Sequence, residues 1–125
     1  MNVIDSSAWL EYFADGPNAG FFAHAIEQVD ELLVPTITLV EVFRRIYQQR
    51  GESPALQAVA QMQQGRVVDL DATLALTAAR VGVDERLPLA DSLVRATAIH
   101  YSATLWTQDS DFEGKPDVKY RPKRA

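Results

Sequence analysis

Residues 1–10 read MNVIDSSAWL: a short apolar run, Val3 and Ile4, closed by Asp5 and followed at once by two serines. The run is a strand candidate, and Ser6 or Ser7 is a candidate N-cap for a helix carrying Trp9, Leu10 and Phe13 at helical spacing. A strand that ends on Asp5 and turns directly into a helix holds a carboxylate at the carboxyl edge of a sheet. In open α/β sheets that edge is where ligands bind.

The same alternation recurs downstream. Asn18 stands where it would cap a second helix carrying Phe21, Phe22, Ala25, Ile26 and Val29; LLVP (32–35) reads as a buried strand, and TITLVEVFRRIYQQR (36–50) as an amphipathic helix closed by Gly51. Ser53 and Pro54 mark the start of a helix that runs to Gly65. RVVDL (66–70) is a third strand candidate and Asp71 a cap for ATLALTAARVGV (72–83). Another helix begins after Pro88, ATLWT (103–107) is a fourth strand, and VKY (118–120), between Pro116 and Pro122, is a short edge strand. Strands alternating with helices require crossover connections. The expected fold is therefore α/β, a largely parallel sheet of four or five strands covered on both faces, in a single domain over 1–125.

With 47% hydrophobic and 23% charged residues, the composition is that of a globular chain and argues against disorder. The absence of cysteine excludes disulfides, thiolate metal sites and cysteine nucleophiles, so a metal would be held by oxygen or by the two histidines. No apolar run approaches the ~20 residues of a membrane span, and the N-terminus lacks the pattern of a signal peptide, so a cytoplasmic location without membrane contact is expected. The net charge of −5 hides an asymmetry: five of the twelve basic residues, Lys115, Lys119, Arg121, Lys123 and Arg124, crowd the last eleven positions. They read either as a basic arm for nucleic acid or as a solvated tail.

The acidic residues sort by position. Asp5 ends the first strand, Glu41 sits in the helix after the second, Asp91 lies in the first turn after Pro88, and Asp109 and Asp111 follow the fourth strand. In a parallel sheet such points share one edge and converge. Two carboxylates ~4 Å apart repel by roughly 4 kcal/mol at an effective dielectric near ~20, so a cluster requires a cation or takes up protons. Hard oxygen donors without sulfur suit magnesium or manganese, the usual equipment for phosphodiester hydrolysis. Each acid also has a local structural reading. Glu41 stands three after Thr38, as in a capping box; Asp91 complements a helix dipole; Asp109 and Asp111 suit a turn before Gly114. His24 and His100 read as packing or capping residues, and neither is placed to form a triad with Ser6 or Ser7.

Taken together, VIDSSAWLEYF (3–13), Glu41 within TLVEVFRR (38–45) and LPLADSLVRATAIHYSATLWTQDSDFEG (87–114) resemble the PIN-domain ribonucleases, and more narrowly the VapC-type toxins of bacterial toxin–antitoxin pairs. The resemblance implies a three-layer α/β/α sandwich in which Asp5, Glu41, Asp91 and Asp109 form the catalytic, Mg2+- or Mn2+-holding set. Ser7 and Thr107 match supporting positions, Ser6 being the alternative to Ser7, and Asp111 is an additional acid. The implied activity is metal-assisted hydrolysis of RNA. Arg44, Arg45, Lys119 and Arg121 are the candidate RNA-backbone contacts. The implied partners are an RNA substrate, a VapB-like antitoxin and a second copy of the chain. Trp9, Tyr12, Phe13, Phe21 and Phe22 are expected mostly in the core, any exposed remainder serving those protein contacts. One alternative is a catalytically inactive PIN-like scaffold that binds RNA or protein. Another is a phosphotransfer receiver domain, which needs a phosphorylatable Asp ending the third strand and a late lysine; here Asp69 precedes Leu70 and no lysine precedes Lys115.

Overall fold

A computed structural model describes residues 1–124 of the chain. Five short strands, β1 (Asn2–Ile4), β2 (Leu32–Pro35), β3 (Arg66–Val68), β4 (Thr104–Thr107) and β5 (Val118–Tyr120), form one sheet in the order β3-β2-β1-β4-β5. Every pairing is parallel, so the expectation of a largely parallel sheet resolves to a wholly parallel one with VKY at its edge. Six helices connect the strands: α1 (Ser6–Phe13), α2 (Ala19–Glu27), α3 (Thr36–Arg50), α4 (Glu52–Met62), α5 (Ala72–Glu85) and α6 (Leu89–His100). No helix among the described residues is long and apolar enough to cross a membrane.

Side-chain alternation along the strands divides the core in two. Ile4, Leu32 and Val34 face one side, where Trp9, Phe22, Val42, Ile46, Ala55 and Met62 of α1 to α4 cover them. Val3, Leu33 and Leu105 face the other, against Leu74 and Ala78 of α5, Val94 and Ala98 of α6, and Phe112. Burial on both faces explains why these strands read as continuous apolar runs rather than alternating ones.

Several helix starts differ from the sequence expectation. Asp5, extended at φ −66° and ψ 154°, holds the position before α1, and neither serine caps it; both lie inside the first turn with their hydroxyls directed to other residues. Asn18 precedes α2 but makes no capping bond. The helix expected from Ser53 begins earlier, at Glu52, and ends at Met62. Gly51, at φ +92°, joins it to α3, a conformation open to glycine. Asp71 does cap α5, its Oδ1 accepting the Leu74 N–H at 2.8 Å, and α5 continues past Val83 to Glu85.

The strand order fixes the place of chemistry. From β1 the chain winds outward through β2 to β3, then returns to the other side of β1 as β4. Connections therefore diverge between β1 and β4, and a crevice opens beyond their carboxyl ends.

Candidate active site

That crevice is a cleft of about 540 Å3 whose walls include Asp5, Ser6, Ser7, Glu41, Asp91 and Asp109, with Arg44 and Arg45 on the α3 side. Asp5 leaves β1 at its floor and is buried, 3% exposed. Its Oδ2 accepts hydrogen bonds from the Ser7 hydroxyl at 2.7 Å and the Thr107 hydroxyl at 2.9 Å. Thr107 in turn accepts the Asp109 N–H at 2.9 Å, which ties the end of β4 to the end of β1. Ser6 donates instead to Glu41 Oε1 at 2.7 Å, fixing the acid of α3 against the first turn of α1. Both serines left open by the sequence thus have a task, each with a different carboxylate.

The capping box expected of Thr38 and Glu41 does not form: the Thr38 hydroxyl donates back to the Pro35 carbonyl at 2.7 Å, and Glu41 projects into the cleft. Asp91 enters from the first turn of α6. Asp109 Oδ1 accepts the Asp111 N–H at 2.9 Å, so the turn reading of these two acids holds locally while their carboxyl groups still face Asp91. Asp91, Asp109 and Asp111 each offer an oxygen within 4.8 Å of the others. Asp111 belongs to the tightest acidic group. Asp5 and Glu41 both stand outside that group, Asp5 at the floor of the cleft and Glu41 on the α3 wall.

Electrostatics follow from burial first and from crowding second. Burial pushes the Asp5 carboxyl up to about 6 against the opposing pull of the Ser7 and Thr107 hydroxyls, with the charges of Asp109 and Glu41 adding to the rise. Asp91 is raised to about 8, first by burial, then by the charges of Asp5 and Asp109 and by its contact with Asp111. None of these acids has an ion-pair partner among the described residues; the salt bridges lie elsewhere, at Glu31 and Glu85. An all-oxygen set with excess negative charge and no ion-pair partner among the described residues fits a hard divalent cation such as magnesium or manganese.

The remaining sequence candidates separate. Arg44 and Arg45 are exposed and line the cleft one turn past Glu41. Lys119 and Arg121 do not line it: Lys119 is exposed on β5, and the Arg121 guanidinium lies 4.1 Å from the centre of the Phe21 ring. His24 and His100 are exposed, each in the last turn of its helix, and the His100 ring meets Tyr101 edge-on. Trp9 and Phe22 are fully buried, while Tyr12, Phe13 and Phe21 are partly so. Asp69, exposed after edge strand β3, lies outside the crevice, and the order 3-2-1-4-5 differs from the 2-1-3-4-5 of the receiver fold, which removes that alternative. Sequence reasoning missed Gln108, buried between Thr107 and Asp109: its N–H lies 3.3 Å from Ser7 Oγ, and its side chain accepts from Asn18 Nδ2 at 3.0 Å. No local pattern marks either partner.

The family model for the PIN domain matches residues 3–117. Among curated protein sequences, none matches this chain. The fold is similar to that of a toxin–antitoxin complex from Klebsiella pneumoniae, with a TM-score of 0.78 and 21% identity over 95% of this chain and 96% of that one. It is also similar to Mycobacterium tuberculosis VapC20, a sarcin-ricin loop cleaving toxin, with a TM-score of 0.76 and 19% identity over 93% and 95% of the two chains. A DNA-bound VapBC from Salmonella typhimurium matches with a TM-score of 0.72 and 14% identity over 97% and 96%. At such identities the likeness is one of fold.

Proposed function

The chain belongs to the PIN-domain family, and from that premise we propose that it is a divalent-metal-dependent endoribonuclease acting as the toxin of a toxin–antitoxin pair. The observation that carries the reading is the carboxylate cluster at the β1/β4 switch point, where burial and then neighbouring carboxylates raise Asp5 and Asp91 and no acid has an ion-pair partner among the described residues. Asp5, Asp91 and Asp109, joined by Asp111, would hold Mg2+ or Mn2+, with Glu41 completing the site from α3. When bound, the ion supplies Lewis acidity, favouring ionisation of water and offsetting negative charge on phosphate oxygens.

The residues divide the remaining work. Ser7 and Thr107 hold Asp5 by two hydroxyl bonds, and Thr107 passes the same order to Asp109, so the acids are placed before substrate arrives. Glu41, located by Ser6, is the carboxylate on the α3 wall and takes the proton of the water that attacks phosphorus as the phosphodiester P–O bond breaks, the departing oxygen keeping the bonding pair and taking a proton from solvent. Arg44 and Arg45 draw the phosphates of RNA toward an otherwise repelling cleft.

The structures similar in fold include toxins in complex with their antitoxins. A VapB-like antitoxin is accordingly the proposed protein partner, in a cytoplasmic homodimer. Val40 and Tyr47 on α3 and Leu56 on α4, each more than half exposed, offer apolar area for such contacts.

Incubation of the purified protein with total cellular RNA under magnesium, manganese or chelator, beside Asp91→Asn, tests the assignment. Discrete metal-dependent cuts that vanish in the variant support it. RNA bound yet uncut in every metal establishes the inactive scaffold instead.

A further inference from the structure

A second cleft, of about 360 Å3, adjoins the acidic one between α1 and α3 and shares Ser7, Leu10 and Arg45 with it. Beyond the shared wall its cations are Arg50 from the end of α3 and Lys123 from the segment after β5. Glu11 is the acid of this cleft, its Oε2 accepting the Asn18 N–H at 2.7 Å, so one carboxylate faces three cations there. Arg45, Arg50 and Lys123 have no ion-pair partner among the described residues.

Lys123 is brought there by specific contacts. The Arg121 N–H donates to the Thr107 carbonyl at 3.1 Å, and the Arg121 side chain covers Phe21. Asn18 Nδ2 donates to the Pro122 carbonyl and to Gln108 Oε1, both at 3.0 Å. Asn18, 1% exposed, thereby pins the chain's basic end to the exit of β4 instead of capping α2.

We infer that the α1–α3 cleft is a phosphate subsite, which takes the backbone of single-stranded RNA as it leaves the acidic cleft, with Arg45 at the junction and Arg50 and Lys123 beyond it. Glu41 and Arg50 are separated by about 14 Å along the axis of α3 at ~1.5 Å per residue, a span of about four nucleotides at ~3.4 Å each in a stacked strand. Phosphates repelled by the acidic cluster thus meet cations where the two clefts join. Lys119 lies outside this path, and Arg121 serves it only by holding the strap. The inference rests on the ribonuclease reading for its choice of RNA, but its test requires no turnover.

The test is the salt dependence of binding of a fluorescein-labelled uridine RNA of about 12 nucleotides, the size range of single-strand sites, to the full chain in chelator. Arg50→Gln with Lys123→Gln should weaken binding and reduce the slope of log K against log salt by about 1.4, since each lost phosphate contact on a single strand contributes ~0.7. Asn18→Ala should reproduce the Lys123→Gln part, and Arg80→Gln on α5 should leave the slope at the parent value. An unchanged slope in the double variant, or a parent that binds no RNA at any salt, overturns the inference. A parent that binds through Arg50 and Lys123 yet cuts no RNA in magnesium upholds the subsite and removes the nuclease reading.

Discussion

Thr107 and Asp5 stand at the ends of adjacent parallel strands and are joined by a 2.9 Å hydrogen bond from the Thr107 hydroxyl to Asp5 Oδ2. The Thr107 hydroxyl oxygen also accepts the Asp109 N–H, so one hydroxyl orders two acids from different parts of the chain. Thr107→Val keeps the shape and leaves the Asp109 amide without its acceptor. The variant should lose about 1–3 kcal/mol of stability in denaturant titration. By calorimetry its magnesium affinity should fall roughly 10- to 100-fold, and Thr107→Ser should recover both.

The two raised acids set a pH dependence for the metal-free protein. Asp5, at about 6 in the fold against 3.8 ordinarily, keeps a proton that the unfolded chain releases. The contribution of Asp5 to stability is therefore full below the ordinary value and is lost as pH rises through about 6, a loss of roughly 3 kcal/mol once Asp5 has ionised. Asp91 extends the decline toward pH 8. Melting in chelator should occur at a lower temperature near pH 8 than near pH 5, and magnesium should raise it more at the higher pH. Equal magnesium shifts at both pH values would count against a metal bound by these acids.

Asp5→Asn retains acceptors for Ser7 and Thr107 but removes a buried charge. Its metal-free form should melt above the parent at about pH 8, where Asp5 of the parent is ionised, while magnesium-induced stabilisation and RNA cleavage are lost. A variant that melts below the parent in chelator would show that the packing of Asp5, rather than its charge, dominates.

Gly82 lies where α5 meets α6. A Cβ there would stand 2.4 Å from Ser92 Oγ and 3.1 Å from Ser92 Cβ, while Ser92 is held by its bond to the Pro88 carbonyl at 2.9 Å. Gly82→Ala gains ~1 kcal/mol of helix propensity, but overlap in a packed contact outweighs it, and a net loss of about 1–2 kcal/mol is expected. Adding Ser92→Ala should recover part of it, as read by urea unfolding.

Arg95, 5% exposed, joins α6 to its neighbours: Nε donates to Glu85 Oε1 at 3.1 Å and a terminal nitrogen to the Pro116 carbonyl at 3.0 Å. Arg95→Met should cost about 3 kcal/mol, because a carbonyl and part of the Glu85 charge lose their donor. Lys115, 3.3 Å from Glu85, limits the damage. Arg95→Met with Glu85→Leu should be more stable than the single variant in the same titration.

Where a side chain serves its own neighbours, its role was legible. Asp71 caps α5 as its position implied, and Gly51 closes α3. Where it serves a distant segment, local reading failed. Asn18 looked like a cap and is a clasp for Gln108 and Pro122. Glu41 had the spacing of a capping box and binds Ser6 across 35 positions. Asp111 looked secondary because its distance from Asp91 is set by the turn after β4 meeting the start of α6.

Local pattern along the chain sets the alternation of strands and helices, the burial of both sheet faces and the placement of acids at strand ends, because a ~3.6-residue apolar period marks each helix and a short continuous apolar run marks a strand buried on both faces. Tertiary structure alone decided that β4 returns beside β1, and with it which acids meet, which hydroxyl holds each one and where the basic end of the chain lies. That order depends on packing and closure between residues far apart in the chain, and no short-range pattern records it.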